Sequence, residues 1–248
     1  MNMLTLLETT FGPVDITAFV LLVIAWVATG RLPESPPKWR PSVSLLMKDY
    51  RYRWMTEFLT RQPRIFDVSL IDSLRQGTAF FASASMIAIG GGVALIGNAA
   101  TLQGLAQDLT IGLDAAQLRI KLIVVVGLLA NALLKFIWSH RLLGYCAIMM
   151  AAVPNDHTAS MAAPRARQAA EINITAAKSF NRGLNSIYFA LAALSWLIGP
   201  WALILATGLT AGVQMRREFA SHSRLVMLAD MRPHKGQPIA GIAAGKPE

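Results

Sequence analysis

The apolar run Ile120–Trp138 is long enough to cross the hydrocarbon core of a bilayer as a helix, and three more such runs, Val14–Gly30, Thr78–Leu102 and Leu184–Val213, are spaced along the chain. Few folds remain open to a chain so patterned. Backbone amides in hydrocarbon must be satisfied within the segment, so the fold class reads as all-α, an integral membrane bundle with four transmembrane helices. Composition agrees: of 248 residues, 54% are hydrophobic and only 15% charged, too apolar for a soluble domain of this size. The spans fall at about 14–31, 78–102, 118–139 and 184–212 within a membrane domain of residues 1–212, and 213–248 form a basic, partly flexible C-terminal extension. The segment before Val14 carries Glu8 rather than lysine or arginine and has no small-residue cleavage site, so it is expected to stay attached.

The connections carry the charge. Leu32–Pro41 holds Pro33, Pro36, Pro37 and Pro41 and reads as a stiff, extended exit from the first span. Over about 42–61, Val43, Met47, Tyr50, Trp54 and Phe58 recur at spacings of three and four, which predicts an amphipathic helix. Two placements fit it: flat on the membrane surface, or packed on the protein's own cytoplasmic core. Counting lysine and arginine, the first connection (Lys38, Arg40, Lys48, Arg51, Arg53, Arg61, Arg64, Arg75) and the third (Arg141, Arg165, Arg167, Lys178, Arg182) are cytoplasmic, whereas the second has none before Arg119. Four spans then leave the basic tail (Arg216, Arg217, Arg224, Arg232, Lys235) on the wrong side. Leu184–Val213 reads as one span kinked at Gly199-Pro200; a re-entrant hairpin there is the alternative, and it returns the tail to the cytoplasm.

The third span continues apolar to Val153, so a single helix over 117–153 is about 55 Å long and must project from a ~30 Å core. Gly127, Asn131, Lys135 and Ser139 recur every four residues along it, a polar stripe that must face protein or water. Asn131, Lys135, Ser139, His140 and Arg141, with Asp72 and Arg75 below the second span and Asn181, Arg182 and Asn185 below the fourth, all fall near the cytoplasmic boundary. They are either a cationic vestibule for an anion or polar small molecule, or separate headgroup contacts and interhelical hydrogen bonds. Asp72 and Arg75 stand at the spacing of a helical ion pair. Ala84, Ala88 and Gly92 form a small-residue stripe suited to close helix packing.

Signals for catalysis and metals are weak. No HExxH, GxSxG or P-loop is present, Gly90–Gly92 precede no GKS or GKT, and no cofactor is implied. His140, His157 and Asp156 match no tight metal spacing. The one cysteine, Cys146, reads as a packed thiol, and Asn173-Ile174-Thr175 is a sequon discounted for lying on a predicted cytoplasmic helix. A net charge of +9 and a pI near 10.2 fit anionic lipid headgroups rather than nucleic acid, because the cations flank apolar spans.

Three segments, IDSLRQGTAFFASASMIAIG before and within the second span, KFIWSHRLLGY at the end of the third and SFNRGLNSIYFALAALSWLIGP entering the fourth, together resemble the domain-of-unknown-function family 599, membrane proteins of bacteria and plants. The resemblance covers about Val14–Gly212. It implies the same layout of a first span, a cytoplasmic helical region and three further spans, and it assigns no catalytic residue. The expectation is therefore a multi-pass protein of the bacterial inner (plasma) membrane that acts as a structural or accessory protein, as a homo-oligomer or as a subunit of a membrane complex. An oligomeric channel or transporter for an anion or polar small molecule is the alternative, and a membrane enzyme the third reading.

Overall fold

The structure, a computed structural model, describes residues 11–37, 39–98 and 114–230. Seven α-helices are present among the described residues: α1 (Pro13–Arg31), α2 (Val43–Glu57), α3 (Ile65–Gly97), α4 (Ala115–Ala151), α5 (Ala162–Leu194), α6 (Pro200–Phe219) and α7 (His222–Asp230). Local chemistry sets the ends. Pro13 begins α1, where its missing amide hydrogen costs nothing, and the Ser42 side chain caps α2 by accepting from Leu45 N. Helices α1, α3 and α4 are long and apolar enough to cross a membrane.

Helices α4 and α5 form the central antiparallel pair. Ser139 Oγ donates to Ala176 O at 2.8 Å and Ser179 Oγ to Lys135 O at 2.9 Å, while Gly183 lets the Phe136 ring lie directly on the α5 backbone. Helix α3 lies mainly on α4, with Phe81 stacked on Phe136 and both rings against Phe180. On the other side, α1 runs antiparallel to α5, from Trp196 Nε1 on Asp15 to the Arg182–Glu34 pair. Phe11, Leu22, Val125, Phe189, Trp196 and Leu203 make the core at this end of the bundle.

The expected single kinked fourth span is not what the chain forms. It breaks after a 3₁₀ turn at Ser195–Leu197, Gly199 takes φ 157° and ψ 168°, a conformation close to glycine-only, and Pro200 starts a new helix that runs back along α1 and α5. At the far end of α6, Arg217 reaches Tyr188 Oη on α5, and Glu218 accepts from both the amide and the hydroxyl of Ser44 on α2. The hairpin alternative therefore holds. It carries the chain after Phe219 to the α2 end of the bundle, where Arg224 donates to Pro41 O.

Helix α4 is 37 residues long, about 55 Å, the single long helix its sequence predicts. Helices α3 and α5, each 33 residues, extend with it to the α2 end, so the polar 165–182 segment and the first part of the fourth apolar run share one continuous helix. Around these extensions lies a second core of Met55, Phe58, Ile71, Cys146, Met150 and Ala169. Helix α2 therefore packs on the protein itself through Leu46, Met55 and Phe58. Arg64, at the start of α3, ties this region together by donating to Val153 O and Pro154 O. The expected polar connection Thr101–Asp114 lies, apart from Asp114, outside the described residues.

Candidate functional site

The side chains grouped by sequence into one vestibule occupy three places. Asn131 and Asn185 join a buried polar network linking α1, α5 and α4: Asn185 Nδ2 donates to Trp26 O at 2.8 Å, Thr29 Oγ1 lies 3.0 Å from Asn185 Oδ1, and Ser186 Oγ accepts from Trp26 Nε1 and reaches Asn131 Oδ1 at 3.2 Å. With Ser139 bonded to Ala176 O, the stripe on α4 faces α5. Lys135 enters that seam only through its carbonyl.

His140 stands apart, between α4 and α3, with Nδ1 3.4 Å from Thr78 Oγ1 and 3.3 Å from Arg75 O. Asp72 does not pair with Arg75 and instead accepts from Gln76 Nε2 at 3.2 Å. Among the described residues Arg75 Nε is buried without a hydrogen-bond partner, and Arg141 folds onto Tyr145 at the surface. Of the small-residue stripe, Gly92 faces α4, where an added Cβ meets Val126 at 2.6 Å, while Ala84 and Ala88 are exposed and Ser85 is the buried residue.

The third place is a cleft of about 350 Å³ at the α2 end, between the end of α1, α2, α5 and the end of α6. Asn181, Arg182 and Asn185 line it, joined by residues that the spacing of the spans did not single out: Lys48, Arg51, Lys178, Gln214 and Arg217. Five cations there meet two carboxylates, Glu34 and Glu218. Both carboxylates are committed. Glu34 takes both bonds of the Arg182 guanidinium at 2.7 Å, which raises the Arg182 pKa, and Glu218 sits on the positive N-terminus of α2. Arg51 is bonded to Asn173 Oδ1 at 2.8 Å and to Met47 O rather than to a carboxylate, and burial lowers its pKa. The signal missed in sequence was tertiary: Lys48, Lys178 and Gln214 lie on three helices, α2 packed directly on α5 and α6 brought to them by the hairpin.

Two buried groups outside the cleft were also overlooked. Lys121, 3% exposed, donates to Trp196 O at 2.9 Å near the end of α5 and lies over the Trp196 ring, while Asp15 accepts from the same indole at 2.7 Å. A cation on a helix C-terminal carbonyl is electrostatically favourable, so Lys121 reads as a structural cap. Asp67, fully buried, accepts from Trp54 Nε1 and Arg61 and fastens α2 to the start of α3. Cys146 is buried among Met150, Ala169 O and Asn173, and burial pushes its thiol pKa to about 11. Asn173 is 1% exposed, which closes the sequon to modification, and Asp156 serves its own turn by accepting from Thr158. Among the described residues no three His, Cys, Asp or Glu side chains gather as metal ligands.

Fold and site together define a helical protein with three membrane-capable helices and a cationic cleft set where the apolar parts of the bundle meet its polar end. The chain belongs to the DUF599 family, proteins of unknown function, whose profile matches residues 17–223. That match runs past Gly212 through the whole of α6. No curated protein and no solved structure matches the chain.

Proposed function

We propose that the chain is a five-crossing protein of the bacterial inner membrane that acts as a scaffold or accessory subunit rather than as a conduit. The five crossings are α1, the second half of α3, the first half of α4, the last part of α5, and α6. The hairpin at Gly199 supports this count, because it sets Arg216, Arg217 and Arg224 at the end that carries Lys48, Arg51, Arg64, Arg141 and Arg165. That end is then cytoplasmic by the positive-inside rule, and the conflict created by four spans disappears.

One observation carries the scaffold reading. Asn131, Ser139, Asn185 and Ser186, polar groups within the apolar part of the bundle, are each engaged in helix-to-helix hydrogen bonds, which supports a role in packing rather than in lining a conduit. Such bonds fix the relative positions of α1, α4 and α5. Helix α3, packed mainly on α4, presents Phe80, Met86, Ile87 and Val93 outward, a face open to lipid or a membrane partner. Purification in a mild detergent, with native mass measurement, is expected to give an assembly larger than one chain. Proteoliposomes carrying that assembly are expected to pass no inorganic ion or small organic anion; flux that falls in Lys135→Met, with assembly intact, overturns the reading in favour of a channel.

A further inference from the structure

We propose that the cleft at the α2 end binds the headgroup of an anionic phospholipid, its phosphate among Lys48, Arg51 and Lys178 and an acyl chain along the neighbouring apolar wall. The inference rests on the membrane reading above. Two independent features point to an anion. Lys48, Arg51 and Lys178 line one cleft with no carboxylate in ion-pair contact among the described residues, because Glu34 and Glu218 are held by Arg182 and by the α2 N-terminus. A site lined by unpaired cations draws phosphate strongly. Gln214 also lines the cleft, and its amide nitrogen is buried without a hydrogen-bond partner among the described residues, a donor awaiting an acceptor.

The shape separates a lipid from a soluble anion. The same cleft is walled by Leu184, Tyr188 and Met215, on the last part of α5 and the last part of α6, so it reaches from the polar end of the bundle into its apolar part. Free phosphate has no use for that wall. A phosphodiester carrying an acyl chain fits both halves, and a volume of about 350 Å³ lies at the lower end of pockets that hold small ligands.

The test uses the purified full-length protein. Native mass spectrometry with phosphatidylglycerol and with phosphatidylcholine reports bound lipid, and inorganic phosphate is titrated as competitor. The double variant Lys48→Gln/Lys178→Gln is compared with Arg141→Gln/Arg216→Gln, which removes the same charge outside the cleft. Expected is retained phosphatidylglycerol in the wild type, weakened roughly fivefold for each cation removed from the cleft and almost unchanged in the outside pair. Gln214→Leu, which removes the orphan donor but no charge, is expected to weaken the same adduct. Equal loss in both double variants, equal retention of phosphatidylcholine, or displacement by inorganic phosphate at the lipid's own concentration overturns the proposal. Association of the wild type with neutral phosphatidylcholine vesicles is measured alongside, so failure of the lipid site is distinguishable from failure of the membrane reading.

Discussion

Gly183→Ala tests the contact on which the α4–α5 pair depends. A Cβ at residue 183 falls 2.7 Å from Phe136 Cε1 and 2.9 Å from Cζ, whereas carbon atoms in good contact sit ~3.5–4.0 Å apart. Relief requires the ring or the helix to move by nearly an ångström. The ring has little freedom, because Phe136 is fully buried with centroids 5.5 Å from Phe81 and 5.4 Å from Phe180. Overpacking of this kind costs about 1–3 kcal/mol. Replacing a mid-helix glycine by alanine returns up to ~1 kcal/mol, so the expected net loss is on the order of 1–2 kcal/mol. For a chain of this length that corresponds to a fall in Tm of roughly 2–8 °C. Thermal loss of the monodisperse species in detergent, read by size-exclusion chromatography, measures it. Phe136→Leu alone also destabilises, by about 1 kcal/mol, but combined with Gly183→Ala it makes room for the added methyl, so the double variant should be more stable than the sum of the two losses by at least ~0.5 kcal/mol. An unchanged or raised Tm in Gly183→Ala, or strict additivity in the double variant, refutes the reasoning.

Topology is tested with single cysteines in a Cys146→Ala background: Ser221→Cys and Thr158→Cys should react with an impermeant maleimide from the same side and Asp114→Cys from the other, whereas a single kinked crossing at 184–212 pairs Ser221 with Asp114. In the wild type, Cys146 should resist alkylation through pH 7–9 and react only on denaturation, because burial holds its pKa near 11 and so keeps it a protonated thiol throughout that range; rapid labelling of the folded protein contradicts this packing. Asp67→Ala strands the Trp54 indole and the Arg61 guanidinium and should cost about 2–4 kcal/mol, read as early proteolysis at the α2–α3 connection. Lys121→Met should lower the Tm by a few degrees through loss of the Trp196 carbonyl cap without altering assembly size, and a change in assembly instead marks Lys121 as an interface residue.

What sequence alone determined was the all-helical class, the apolar runs, the unbroken length of α4 and the basic connections, because each depends on hydropathy and charge counted along one segment. It also found that Asn131, Ser139 and Asn185 are constrained, since polar groups within an apolar run must find partners. Counting failed at Leu184–Val213. The run reads as one segment, yet it is divided at Gly199 between two antiparallel helices, α5 from Ala162 and α6 to Phe219, whose polar ends do not appear in the apolar run. Tertiary structure decided the rest. Whether the stripe on α4 meets water or α5 depends on Gly183 allowing close approach, and whether Asp72 pairs with Arg75 depends on competition from Gln76. The cationic cleft exists because α2 packs on α5, setting Lys48 and Arg51 beside Lys178, and the turn at Gly199 returns Gln214 and Arg217 to them, residues far apart along the chain.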